Sequence, residues 1–181
     1  MVKNKAPSLS LFYEKQKVAD LFYDLQSEAF KLNYSTDWLK SGFPLSPHLP
    51  LFEEFPSENT KKFLENLLPE GDALKTVTRS LKIASSNIYA LIKVVGHDAT
   101  GAFAFFSEKD IPQTSFREIP IEELTERIRN RSRKPISIWD NKPRLSLAGV
   151  QEKLGVTLKN GVYGLGEGEL ASTHIFKFSK N

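Results

Sequence analysis

Apolar and polar positions alternate loosely from Leu9 to Asp20, with Phe12 and Tyr13 near the start, which predicts the first strand of a hairpin. A cleaner period of two in Phe30 to Tyr34 predicts a second strand, and Asp37-Trp38-Leu39 then opens a short turn. Pro44, Pro47 and Pro50 exclude helix from Phe43 to Leu51, because proline has no N–H to donate and crowds the preceding residue, so this stretch is read as extended. Helical periodicity follows. Ser57 offers an N-cap, Asn59 to Leu68 puts Phe63, Leu64, Leu67 and Leu68 on one face, and Pro69-Glu70-Gly71 stops the helix. Asp72 to Leu81 predicts a second helix. A third, capped by Ser85 or Ser86, turns Ile88, Leu91, Ile92 and Val95 inward and ends at Gly96. The apolar run from Gly101 to Phe106 is too short for a helix and predicts a buried strand.

Beyond it, Ser107 to Pro120 is polar, carries two prolines and suits a linker, while Ile121 to Arg131 predicts a helix. After Pro135 the pattern changes to short strands, at Leu145 to Leu147, Lys153 to Leu158, Val162 to Leu165 and Thr173 to Phe178. Lys159-Asn160-Gly161 supplies the Asn-Gly signal of a tight hairpin, since both central residues of such a turn need positive φ. The fold class predicted is α+β, a small mixed α/β unit followed by a group of strands. Its divisions are a flexible arm at 1–8, an N-terminal subdomain at 9–107, a linker and helix at 108–134, and a strand-rich unit at 135–181.

Composition narrows the classes. Apolar residues at 40% and charged residues at 26% of 181 belong to a globular chain long enough for one core, or for one compact domain plus part of another. A net charge of +3, spread along the sequence, gives no electrostatic argument for nucleic acid or an anionic membrane. The absence of cysteine excludes a disulfide framework and thiolate metal sites. No apolar run approaches the roughly 20 residues that span a bilayer, and Met1 to Ser8 lacks an apolar signal core, so a cytoplasmic location is expected.

Candidate chemistry lies near the end. Small residues in Ser146-Leu-Ala-Gly-Val-Gln-Glu-Lys153 let backbone N–H groups come close to a phosphate, with a lysine to supply the countercharge. A strand-hairpin-strand later comes Thr173-His174-Ile175-Phe176-Lys177, a lysine on an otherwise apolar strand. A glycine-bearing loop followed by a strand lysine is how kinase N-lobes hold ATP. No Gly-x-x-x-x-Gly-Lys-Ser/Thr sequence occurs. On the residues alone, the Ala148-Gly149 step also fits an ordinary tight turn, and Lys177 also fits an edge strand with solvent on one side.

Five segments, in order, resemble the HipA-like serine/threonine kinase toxins of type II toxin–antitoxin systems. Pro44-Leu-Ser-Pro-His-Leu-Pro-Leu51, Phe63-Leu-Glu-Asn-Leu-Leu-Pro-Glu-Gly71 and Gly96-His-Asp-Ala-Thr-Gly-Ala102 are similar to elements of that family's N-terminal subdomain. Ser146 to Lys153 resembles its Ser-x-Ala-Gly-x-Gln-x-Lys loop, and Ser172-Thr-His-Ile-Phe-Lys177 its Thr-His-Ile-x-Lys strand. The resemblance implies that 135–181 begins a kinase N-lobe. Ala148 and Gly149 would then offer backbone to the ATP phosphates, and Lys153 and Lys177 would contact the nucleotide. Ser146 would be the autophosphorylated residue, where a phosphate of nearly two negative charges would expel the loop and silence the kinase.

By the same resemblance the catalytic and magnesium-binding aspartates belong to a helical C-lobe beyond Asn181. The chain is therefore expected to be the inactive N-terminal part of an ATP- and magnesium-dependent kinase. That kinase would phosphorylate a translation protein such as an aminoacyl-tRNA synthetase. Its expected partners are the kinase C-lobe or a full-length HipA-like kinase, and a HipB-like antitoxin that alone would bring it to DNA. A rival reading is a stand-alone module that binds such a kinase and neutralises it, as separate small subunits of related three-gene systems do.

Remaining features have plain readings. His48, His97 and His174 lack metal-ligand spacing, and His174, on a family motif, would make an orienting hydrogen bond. Arg127, Arg129, Arg131, Arg133 and Lys134 could face DNA, but Glu122, Glu123 and Glu126 balance them as on a solvated helix. Trp38, Phe43, Phe52 and Phe55 fit either core packing or a partner surface.

Overall fold

The structure is a computed structural model that describes residues 8–98, 102–107, 114–140, 142–144, 152–168 and 170–179. The expected α+β class holds, built on two antiparallel four-stranded sheets with separate cores. The first sheet contains β1 (Ser8–Tyr13), β2 (Gln16–Asp24), β3 (Ala29–Tyr34) and β4 (Phe103–Phe106) in the order β3-β2-β1-β4. The stretch from Leu9 to Asp20 is two strands and not one. Glu14 takes a left-handed φ of 52° and reverses the chain without glycine, asparagine or proline to announce the turn. In β3 the period of two is physical: Phe30 and Leu32 are buried while Lys31 and Asn33 are exposed.

Four helices accompany this sheet: α1 (Thr36–Ser41), α2 (Ser57–Glu65), α3 (Gly71–Leu81) and α4 (Ile88–Val95). The turn expected at Asp37 is the helix α1, capped by the Ser35 hydroxyl, which accepts from Trp38 N at 3.2 Å. Gly42 ends it, and a Cβ there would lie 2.5 Å from the Trp38 indole, so only glycine lets the chain pass. Ser57 does not cap α2. It lies inside the helix, where its Oγ accepts from Phe30 N at 2.7 Å and ties α2 to β3. For α4 the cap is Asn87, one residue beyond the expected serines, with Oδ1 accepting from Ala90 N at 3.0 Å. The inward set is as expected, since Ile88, Leu91, Ile92 and Val95 are all buried.

The second sheet contains β5 (Ser115–Glu118), β8 (Lys153–Lys159), β9 (Val162–Glu167) and β10 (His174–Lys177), ordered β10-β8-β9-β5. Beside it are α5 (Ile121–Arg129) and a small hairpin of β6 (Ile138–Trp139) and β7 (Lys142–Pro143). The polar stretch expected to be linker thus contains a strand, because β5 gains its stability from distant β9, with Arg117 opposite Leu165 and Glu118 opposite Gly164. Asn160 and Gly161, at φ 51° and 81°, form the expected hairpin turn. Ile119, Ile136, Trp139, Leu154, Val156, Leu165 and Phe178 make up the second core. The strand expected at Leu145 to Leu147 lies outside the described residues.

Candidate functional site

Side chains alternate across a strand, so the core-facing positions of β8 and β10 decide where their lysines go. Leu154 is fully buried and its cross-strand partner Phe176 packs on the second core. Lys153 and Lys177, one position along each strand, therefore share the opposite face. They are also direct partners in the antiparallel register, Lys177 opposite Lys153. Residues so placed have Cβ atoms about 5 Å apart, and like charges in that relation repel. Lys153 is half-buried and Lys177 exposed. The fold thus concentrates positive charge at one end of one sheet face, an arrangement that an anion stabilises. Ile175 and Gly155 are the next pair on that face.

β10 is an edge strand of its sheet among the described residues, so the structure also satisfies the plainer explanation of Lys177 as an edge residue. What that explanation does not supply is the second lysine. Ser146, Ala148 and Gly149, the other sequence candidates, lie outside the described residues. The segment between β9 and β10 folds back on the sheet. Thr157 Oγ1 donates to Ala171 O at 3.0 Å, and the Thr173 hydroxyl accepts from Leu158 N at 2.8 Å. That hydroxyl also lies 2.8 Å from His174 Nδ1, so a hydrogen bond fixes the imidazole ring, which meets Tyr163 edge-on at 5.6 Å between centroids.

Three residues beside the site carried no sequence signal. Glu167 at the end of β9 accepts from Lys142 Nζ at 2.8 and 3.1 Å and from Arg144 Nη2 at 2.9 Å. The hydrogen bond from Lys142, then the charges of Lys142 and Arg144, hold the Glu167 carboxyl below its ordinary value against the opposing effect of burial. Pairings across more than twenty residues leave no periodic trace. Only the topology brings them together.

The basic run does not form a uniform surface either. Arg127 stacks on Trp139 at 4.7 Å, Lys134 pairs with Glu126 at 3.2 Å, and the Arg131 guanidinium donates to Ser179 O at 2.5 Å. Among the described residues no group of His, Asp and Glu could hold a metal ion, and no helix is long and apolar enough to cross a membrane.

Comparison with known proteins gives these observations a family setting. The sequence profile of the HipA N-terminal domain matches residues 9–106. The serine/threonine-protein kinase toxin HipA of Shewanella oneidensis is 40% identical over 177 residues, covering 97% of this chain and 41% of the relative. In a solved complex of Shewanella oneidensis HipA, HipB and operator DNA, one chain matches with a TM-score of 0.78 and 40% identity, over 95% of this chain and 41% of that one. The chain therefore spans about two-fifths of the length of these relatives.

Proposed function

The chain belongs to the HipA N-terminal domain family, and from that premise we propose that it is the N-terminal part of a serine/threonine kinase toxin, binding ATP phosphates between Lys153 and Lys177. The observation that carries the reading is the register of β8 and β10, which sets the two lysines opposite each other on the face turned away from the core. A triphosphate is the ligand such a pair suits, because two ammonium groups lose their mutual repulsion when anionic oxygens come between them. Backbone N–H groups of Ala148 and Gly149 supply further donors, and Ser146 is the residue whose phosphorylation displaces the nucleotide. In the domain division that follows, residues 9–107 are the capping subdomain and 135–181 open the kinase N-lobe.

Phosphoryl transfer draws on a group that orients the acceptor hydroxyl and on metal ions bridging the phosphates. No residue of this chain is assigned either role. Alone it binds nucleotide without transferring the γ-phosphate. Joined to a kinase C-lobe it contributes to phosphorylating a cytoplasmic translation protein such as an aminoacyl-tRNA synthetase. A HipB-like antitoxin is its regulatory partner, and DNA contact runs through that antitoxin, a reading supported by the HipA–HipB–operator complex that the fold matches. A second reading, a module that binds and neutralises a HipA-like kinase, is favoured by one observation. Among the described residues, the buried members of the first core run from Leu9 to Phe105.

Isothermal titration of the chain with ATP–Mg²⁺ tests the first reading. Losing one charge-assisted contact costs about 1.5–3 kcal/mol, so Lys153→Ala and Lys177→Ala each weaken binding by roughly 10- to 100-fold. Radiolabelled ATP leaves no phosphate on a protein acceptor when the chain acts alone. Equal affinities for the wild type and both variants would remove the site. Suppression of the Shewanella kinase by added chain, with no ATP bound, would favour the second reading.

A further inference from the structure

β10 is four residues long, lies at an edge of its sheet and has three of its four side chains exposed, so little burial fixes where along β8 it sits. Phe176, packed on the second core, and Phe178, 8% exposed, settle only which face each residue takes. A slip of one residue would turn both phenylalanines off the core. A slip of two keeps them on it, yet it moves Lys177 about 7 Å along β8 and sets Ile175 or Ser179 opposite Lys153. Backbone ladder bonds form equally well in either register. The lysine pair therefore depends on contacts that alternation does not supply.

Two side chains make such contacts. Thr157 on β8 is 3% exposed, and by alternation it shares the lysine face with Lys153. Its Oγ1 donates to Ala171 O at 3.0 Å. One residue on, Leu158 N donates to the Thr173 hydroxyl at 2.8 Å, while Thr173 N donates to Val156 O at 2.9 Å. The segment that accepts from Thr157 is itself closely seated, for Leu170 O occupies the place a Cβ at Gly166 would take. After a slip of two, Ala171 or Ile175 would stand where Thr173 does, and neither carries a hydroxyl for Leu158 N. Ala171 O would also leave the reach of Thr157. A buried hydroxyl without its acceptor is the cost that holds β10 in one register.

We propose that Thr157 is a positioning residue for the nucleotide site: its hydroxyl, with that of Thr173, pins the register that sets Lys177 opposite Lys153. The inference rests on the ATP reading above and adds to it a residue outside the two motifs. Thr157 acts through β10 and not on the phosphate, since its one donor is spent on Ala171 O.

The chain has no cysteine, so a pair introduced by substitution reports the register without background. Lys153→Cys with Lys177→Cys places two thiols within disulfide reach in the observed register. Lys153→Cys with Ile175→Cys is a diagonal pair, its Cα atoms about 7–8 Å apart, that closes readily only after a slip of two. In the diagonal pair, Thr157→Val is expected to speed disulfide formation about fivefold, the factor that one hydrogen bond of about 1 kcal/mol contributes. Thr157→Ser, which keeps the hydroxyl, stays within about 1.5-fold of the parent. Thr173→Val removes the other pin and speeds closure likewise. With both lysines intact, Thr157→Val weakens binding of a fluorescent ATP analogue with Mg²⁺ about threefold, and Thr157→Ser restores it.

A diagonal pair that closes no faster in Thr157→Val and Thr173→Val than in their parent would overturn the proposal. So would equal acceleration by Thr157→Ser, because packing and not the hydroxyl would then be the cause. Faster closure with unchanged affinity would overturn the positioning role. Failure of the wild type to bind the analogue would remove the ATP reading instead. The disulfide rates would then decide by themselves whether Thr157 sets the register.

Discussion

Gly166→Ala should disturb the lysine pair without touching either lysine. A Cβ at Gly166 would meet the Leu170 carbonyl oxygen at a separation no real Cβ shows, and would lie 3.1 Å from Thr157 Oγ1. The first obstacle is backbone, which cannot rotate aside. Residues 170–173 are held by Thr157 Oγ1 to Ala171 O at 3.0 Å, Thr173 N to Val156 O at 2.9 Å, and Leu158 N to Thr173 Oγ1 at 2.8 Å. To admit a methyl group, this segment must move outward by about 1 Å, straining those bonds at the start of β10. Overpacking of this kind costs about 1–3 kcal/mol. At roughly 2–4 °C per kcal/mol for a chain of this length, the midpoint of thermal unfolding falls by about 4–8 °C for a 2 kcal/mol loss. Because β10 carries Lys177, affinity for an ATP analogue falls as well.

Gly161→Ala is the control. Its φ of +81° imposes backbone strain, but a Cβ there meets nothing within 4 Å. It should cost about 1–2 kcal/mol and leave nucleotide affinity as it was. Differential scanning calorimetry and analogue titration on the two variants suffice. A Gly166→Ala midpoint within about 1 °C of wild type, with unchanged affinity, would refute the reasoning, since it would mean the segment yields freely.

Other expectations are simpler. Arg117→Ala removes a paired contact to Glu123 at 2.8 and 3.1 Å and one to Asp140 at 2.7 Å; with the side chain 38% exposed, solvent screening leaves about 1–2 kcal/mol, measurable by denaturant titration. Leu91→Ala empties a fully buried position in the first core and should cost about 2–5 kcal/mol in the same assay.

Stability should also decline as pH falls. Burial, reinforced by Arg144 and Lys142 against Asp98 and Glu167, lowers the His97 value from its ordinary 6.5, so the unfolded chain takes up the proton first. That contribution is complete above 6.5 and is lost as pH drops through the folded value. Glu167, lowered from 4.5, behaves likewise over a more acidic window, above all through its hydrogen bond from Lys142. Melting curves between pH 7.5 and about pH 2.5 should show both stages, with the upper one absent in His97→Gln; a midpoint constant over that range would contradict the assignment.

Local rules made much of the fold readable from sequence. The inward face of α4, the alternation in β3 and the Asn160-Gly161 turn are decided within ten residues, where periodicity and turn chemistry act. The failures share a cause. Glu14 turns a hairpin with a residue type not associated with positive φ, and β5 is a strand only because β9 lies beside it. Ser57 has a capping residue's chemistry but spends its oxygen on Phe30 N, a partner 27 positions away. At the site, Lys153 and Lys177 stood out because each sits in a motif, whereas their register against each other required the sheet. Lys142, Arg144 and Glu167 could not be found in one dimension, since charged residues at such spacing are ordinary surface chemistry until the fold brings them together.

The most direct measurement is affinity labelling with an acyl-phosphate derivative of ATP, which transfers its acyl group to amines beside the bound phosphates, followed by peptide mass spectrometry. Modification is expected at Lys153 and Lys177, abolished by excess ATP–Mg²⁺, with labelling at exposed lysines such as Lys40 and Lys75 unaffected by competition. Labelling spread over the surface lysines, with none at Lys153 or Lys177 sensitive to ATP, would contradict it.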